Sequence, residues 1–160
     1  MTDENSKPTS DGLKKSKARL ALIQILFQID FNKASSKTAL NEYLSDRLDE
    51  EVDGLNVADL DQNLLINLYK GINQDRELLD DMLVSVLDKS WPIHRLDPVL
   101  RLVIIAGAYE IQQRVDTPVK VIISEYVDVA HAFLGDKETA MVNGCLDRLA
   151  HGLRKDEFDK

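Results

Sequence analysis

Apolar residues recur every three to four positions along most of this chain, a period that predicts helices rather than strands. In the segment from Lys14 to Phe31, Leu22, Ile25, Leu26 and Ile29 fall at i, i+3, i+4 and i+7. Leu20, Ile23 and Phe27 line a second face, so this helix should be buried on most sides beyond its first turn. Residues 1–13 hold Pro8 and Gly12 and no periodic apolar positions, and read as a disordered polar arm. Asn32 to Ser36 breaks the pattern. Thr38 to Leu48 follows as a second helix carrying Leu40, Tyr43, Leu44 and Leu48, and the acidic stretch through Gly54 reads as a loop. Asp59 or Asp61 could cap a third helix with Leu64, Leu65, Leu68, Tyr69 and Ile72 on its apolar face. Asp75 could cap a fourth, which would bury Leu78, Leu79, Met82, Leu83, Val86 and Leu87.

Trp91-Pro92 interrupts this run, because proline lacks the helical N–H donor and restrains the residue before it. Asp97-Pro98 is a helix start signal, an oxygen-bearing cap followed by proline at the first helical position. The helix it opens, to about Gln113, is apolar on nearly every side, and Ala106, Gly107 and Ala108 would let another backbone approach closely. Thr117-Pro118 repeats the signal ahead of Val119, Ile122, Ile123, Tyr126, Val127, Ala130 and Phe133. Gly135 suits a left-handed terminating turn, and Asp136 could cap a last helix with Val142, Cys145, Leu146 and Leu149 on one face. The expected fold is all-α, about seven helices in two packed bundles, with no convincing strand. The polar arm, residues 1–13, precedes an N-terminal half at 14–90 and a C-terminal half at 91–153, and 154–160 form a frayed tail.

Composition narrows the function. The 160 residues are 44% hydrophobic and 30% charged, a globular balance that allows one well-buried core or two halves sharing an interface. A lone cysteine, Cys145, has no partner for an internal disulfide, and no charged start precedes an apolar run, so a reducing cytoplasm is the expected location. The longest apolar run, Leu102 to Tyr109, is too short to span a bilayer, and no membrane partner is expected. A formal net charge of -8 argues against a whole-surface nucleic-acid binder, so any phosphate contact must be local. Lys14, Lys15, Lys17 and Arg19 form a compact basic patch with no acid among them.

Catalytic chemistry is hard to find. Cys145 sits on an apolar helix face, where a small hydrophobe belongs, and His94, His131 and His151 lack metal-ligand spacing. The acidic loop fails as a calcium site: counting from Asp49, the twelfth position is Leu60, where a bidentate Glu is required. Gly107, Gly135 and Gly144 are isolated and build no phosphate loop, and the consecutive Asp80-Asp81 reads as surface solubility. No enzyme activity, cofactor or metal is expected. The basic helix start remains. With Lys14 and Lys17 at i, i+3 and Lys15 and Arg19 at i, i+4, all four side chains should reach outward toward phosphate oxygens. The plain alternative is a solvated helix start, in which these cations oppose the helix dipole.

Several ordered motifs resemble the NusB family of bacterial transcription antitermination factors. They are Arg95-Leu96-Asp97-Pro98-Val99-Leu100-Arg101, then Gly107-Ala108-Tyr109-Glu110-Ile111, then Pro118-Val119-Lys120-Val121-Ile122-Ile123-Ser124-Glu125-Tyr126. Val142-Asn143-Gly144-Cys145-Leu146-Asp147-Arg148-Leu149 completes the set. The family runs close to YEL, PxKVxINE and FVNGVLDKL in these places. Lys17-Ala18-Arg19, followed by Ala21, Gln24, Leu26 and Phe27, resembles its arginine-rich opening helix.

The resemblance implies a seven-helix fold that binds boxA-type single-stranded RNA together with a small-subunit ribosomal protein, NusE. It further implies work within an RNA polymerase antitermination complex, with Lys15, Lys17 and Arg19 in the RNA-contacting motif. The departures fall on polar positions: Ser16 interrupts the basic run, Leu20 replaces a usual Glu, and Ile105 stands where Arg is common. Val119 replaces a frequent Tyr, Ser124 an Asn, and Ala140 and Met141 stand where Lys and Phe are typical. Losing that cation and aromatic leaves open a second reading, a protein-interaction module of the same fold without RNA recognition. NusB-like domains also occur fused to RNA methyltransferases, but this sequence has no glycine-rich methyl-donor site. A homodimer is left open, since the helix around Gly107 could serve a dimer as well as the core.

Overall fold

A computed structural model describes residues 10–32, 51–52, 55–56 and 60–158. Among these the chain is helical apart from one minimal antiparallel ribbon. The helices are α1 (Ser10–Asn32), α2 (Gln62–Gln74), α3 (Arg76–Val86), α4 (Pro98–Gln113), α5 (Val119–Phe133), α6 (Asp136–Leu153) and the short α7 (Lys155–Phe158). The ribbon pairs β1 (Glu51–Val52) with β2 (Leu55–Asn56), Glu51 facing Asn56 and Val52 facing Leu55; β1 lies in the acidic stretch expected as loop and β2 just beyond Gly54. The helix expected over 38–48 lies outside the described residues. The opening helix begins at Ser10, four residues ahead of the expected Lys14, so the end of the expected arm is helical.

The chain divides into two compact units, 1–69 and 70–160, a boundary earlier than the Trp91-Pro92 break. The physical reason is that α3 packs against α4 and α6 through Leu79 and Leu83, and so belongs with the helices that follow it. A half-buried ion pair reinforces that packing. Arg101 donates from Nε and Nη2 to the two carboxylate oxygens of Asp80, at 3.1 and 2.7 Å. Asp80 is therefore a bridge between α3 and α4 rather than a solubilising surface acid, whereas Asp81 is exposed.

In the first unit, Ala18, Ala21, Leu22, Ile25 and Leu26 of α1 are fully buried, as are Leu64, Leu65 and Leu68 of α2 to within a few per cent. In the second, α4 is the central element. Leu102 to Ala106 are wholly inaccessible, and α5 and α6 pack against α4 and against each other. Gly107 has a specific occupant: a Cβ there would lie 2.7 Å from Leu146 Cδ1, so the space its missing side chain opens is filled by α6. That close approach serves the core and leaves nothing at Gly107 for a second copy of the chain.

The start signals separate on inspection. Asp61 caps α2, accepting from Leu64 N–H at 2.9 Å, and Asp97 caps α4, accepting from Val99 N–H at 2.8 Å with Pro98 at the first helical position. Asp75 stands before α3 but makes no side-chain cap. Thr117 makes none either, because Pro118 occupies the cap position of α5 and cannot bring that hydroxyl to the helix start. Glu157 does the work instead, its Oε2 accepting from Val119 N–H at 3.1 Å. Gly135 is extended (φ -83°, ψ -179°), not left-handed; it is itself the cap of α6, and Asp136 is already helical.

The end of the second unit is a clamp where a frayed tail was expected. Arg154 is 8% exposed, and its guanidinium donates to Ile111 O (2.7 Å), Thr117 O (2.5 Å) and Arg114 O (2.6 Å). These carbonyls lie at the end of α4 and in the following turn, where Arg114 O also accepts from Thr117 N–H at 3.0 Å. Glu157 Oε1 accepts from the same guanidinium at 2.7 Å, so one carboxylate joins Arg154 to the start of α5. Nearby, Glu110 is completely buried: the Tyr126 hydroxyl donates a short bond to one oxygen, and Arg114 Nε forms an ion pair with the other at 3.5 Å.

Candidate nucleic-acid interface

The basic stretch lies on the first three turns of α1, and helix geometry sorts its four cations. Lys14 is exposed, and Lys15 and Lys17 are partly exposed, whereas Arg19 is 3% exposed. The expectation that all four reach outward therefore fails at Arg19. Leu22, Ile23 and Leu26 lie three, four and seven residues further on and are buried, so position 19 belongs to the core-facing stripe. The stem of an arginine can follow apolar neighbours in this way. The outward-facing set is Lys14, Lys15 and Lys17.

Those lysines are presented by a fixed backbone. Asp61 donates its N–H to Lys14 O at 3.0 Å while its side chain caps α2, so one residue ties the basic turn to the next helix. Ser16, which interrupts the basic run, donates its hydroxyl to Gly12 O at 3.0 Å, one turn earlier. Because α1 begins at Ser10, its first turn carries Asp11 and the three lysines stand beyond it, where the helix dipole opposes them little.

The second unit carries other polar surface. An open groove of about 560 Å³ runs between α5 and α6, with Ile123, Val127 and Ala140 as apolar lining and Lys120, Ser124 and Asn143 among its polar groups. Ser124 and Ala140, two of the departures noted above, thus meet at one groove. Ile105 and Val119 are different in kind: both are buried, at 0% and 3%, so those departures are core substitutions. The signal sequence reading used Trp91 for was a chain break. Its indole is in fact 41% exposed, with Lys137 Nζ 5.7 Å from the ring centroid.

Cys145 and His151 take structural places. Cys145 is 1% exposed, and burial pushes its thiol above the ordinary value. His151 stacks against Phe158 at 3.8 Å between centroids and lies 3.7 Å from Asp147. Among the described residues no group of His, Cys, Asp and Glu is placed to hold a metal ion, and no helix is long and apolar enough to cross a membrane.

Residues 16–151 match the model of the NusB family. The chain belongs to the NusB family. It is 40% identical to the transcription antitermination protein NusB of Rhodopseudomonas palustris (strain BisB18), over 98% of this chain and 95% of that one. It is 39% identical to the protein of the same name from Bradyrhizobium diazoefficiens, over 100% and 99% respectively. Among solved structures, T. maritima NusB superimposes with a TM-score of 0.73 at 27% identity, covering 91% of this chain and 96% of that one. The NusB likeness thus spans both units and includes the basic α1 start, and the all-α class expected from periodicity is the class of the family.

Proposed function

We propose that this chain is a non-catalytic transcription antitermination factor that binds boxA-type single-stranded RNA jointly with the small-subunit ribosomal protein NusE, within an RNA polymerase antitermination complex. The observation that carries the reading is the fixed basic turn of α1, with Lys14, Lys15 and Lys17 toward solvent, in a chain whose relatives are named transcription antitermination proteins. Ammonium groups on a flexible stem suit phosphate oxygens, and they position the strand without reading its bases. Arg19, buried, is proposed to orient the turn rather than to touch RNA.

The net charge of -8 limits what three lysines can hold alone, and partner assistance is the expected remedy. Fluorescence anisotropy of labelled boxA RNA should show weak binding by the chain alone and tighter binding once NusE is added. The log-log salt slope should be about -2 if the three lysines engage single-stranded phosphates. Replacing Lys15 and Lys17 by Ala should bring the slope to about -0.7. A flat salt response, or no RNA binding with NusE present, rejects the RNA half.

A second reading, a NusB-fold interaction module without RNA recognition, is favoured by one observation: burial of Arg19 removes a cation from an already short patch. It requires NusE to bind with the same affinity whether or not boxA RNA is present.

A further inference from the structure

Trp91 is the only tryptophan in the chain and is 41% exposed, a large aromatic surface with a polar N–H that a planar ligand could use. Its backbone is held from both sides. Trp91 N–H donates to Asp88 O at 2.8 Å, and Asp88 Oδ1 accepts from both the N–H and the hydroxyl of Ser90 at 2.9 Å. On the other side Pro92 is locked in extended geometry, and Arg95 N–H donates to Pro92 O at 2.9 Å. The turn is also fastened to α6: Arg148 Nη1 donates to Val86 O at 2.8 Å, and Lys137 carries its ammonium to the indole. An exposed aromatic fixed this firmly loses little freedom when a ligand lands on it.

The neighbouring charges say what kind of ligand fits. Lys89, Lys137 and Arg148 are exposed cations on these segments, and Asp88, Asp136, Glu138 and Asp147 are the acids among them, Asp147 lying 3.7 Å from His151. Asp88 is engaged by Ser90 and influenced by Arg148. An exposed indole with an ammonium 5.7 Å over its ring matches a nucleotide, which brings a planar base and an anionic phosphate in one unit. A hydrophobic peptide would use the indole but not the lysine.

We infer that Trp91 and Lys137 form a second RNA subsite, in which one unpaired base stacks on the indole and its phosphate meets the Lys137 ammonium. Lys137 lies one helical turn before Ala140 and Met141 on α6, and the 5.7 Å approach of its ammonium places Trp91 beside it. The subsite rests on the RNA-binding reading above and adds base contact to it.

A single tryptophan makes the test direct. The full chain is titrated with fluorescein-labelled boxA RNA in the presence of NusE, reading anisotropy for binding. A parallel titration with unlabelled RNA reads indole emission, with W91F as the blank. Trp91 emission should be quenched in step with the binding curve. W91A should weaken RNA about five- to a hundredfold, W91F should retain part of the affinity, and K137A should lower the salt slope by about 0.7. Circular dichroism and the melting midpoint of W91F and W91A show that the variants fold. RNA binding that leaves the emission unchanged and is equal for W91A and wild type overturns the subsite while leaving the RNA reading intact. Quenching by NusE without RNA assigns Trp91 to a protein contact and overturns the inference as well. Absence of RNA binding under every condition rejects both readings together.

Discussion

Replacing Arg154 by Ala removes a guanidinium that donates to three backbone carbonyls and to Glu157, all at 2.5–2.7 Å. Hydrogen bonds from a charged donor contribute about 1.5–3 kcal/mol each when buried, and a carbonyl left dry without a donor costs about 1–3 kcal/mol. The bond to Ile111 is fully buried, as is a long one to Glu110 O at 3.5 Å; those to Thr117 and Arg114 are part-buried, so water can replace some of what is lost. Taking the buried bond near full value and the others near half, the loss should be about 3–4 kcal/mol. At roughly 2–4 °C per kcal/mol for a chain of this size, the melting midpoint should fall on the order of 10 °C. Urea unfolding followed by circular dichroism, for wild type, R154A and R154K, measures it. R154K keeps the charge but cannot fork to several acceptors, so it should recover less than half of the loss. A loss below about 1 kcal/mol for R154A would show that the clamp is dispensable and that α4 and α5 are held by apolar packing alone.

Three further outcomes follow from the packing. Gly71→Ala would ordinarily stabilise a helix by about 1 kcal/mol, but a Cβ there would lie 1.8 Å from the Tyr109 hydroxyl; thermal melts should show destabilisation, partly reversed by Tyr109→Leu. Asp97→Ala removes the α4 cap and should cost about 1 kcal/mol in urea unfolding, whereas Asp75→Ala, with no cap bond to lose, should cost less. Burial raises Cys145 above its ordinary 9.0, and burial together with Asp75 raises Tyr109 above 10.0. The unfolded chain releases these protons first, so the contribution of these two groups should be constant below about pH 9 and fall as pH rises beyond it. Equal unfolding midpoints at pH 8 and pH 10.5 would contradict this, and C145A should flatten the lower part of the decline.

Periodicity was enough to find α2 to α6, because each buries a stripe of Leu, Ile and Val that only helical spacing brings together. It was weaker at helix ends, where a proline moves the cap by one position, as at Thr117-Pro118, and where the capping group comes from far along the chain, as Glu157 does. Asp80 and Arg154 escaped for a related reason: both are charged residues whose partners lie 21 to 43 positions away, and local pattern carries no trace of such pairings. The candidate site divides in the same manner. Lys14, Lys15 and Lys17 were legible as a charge cluster, but the burial of Arg19 depends on its register with Leu22, Ile23 and Leu26. Trp91 looked like punctuation beside a proline, since exposure is a property of the fold around it.

The Arg154 clamp also sets an order of events during synthesis. The guanidinium that satisfies Ile111 O is added 43 residues later, and the carboxylate that caps Val119 comes 38 residues after it. At about 5–20 residues per second, the end of α4 and the start of α5 wait roughly two to nine seconds for their partners. Through that interval α4, which buries more residues than any other described helix, is made but not fastened, so this stretch of the nascent protein is where a chaperone would have most to protect.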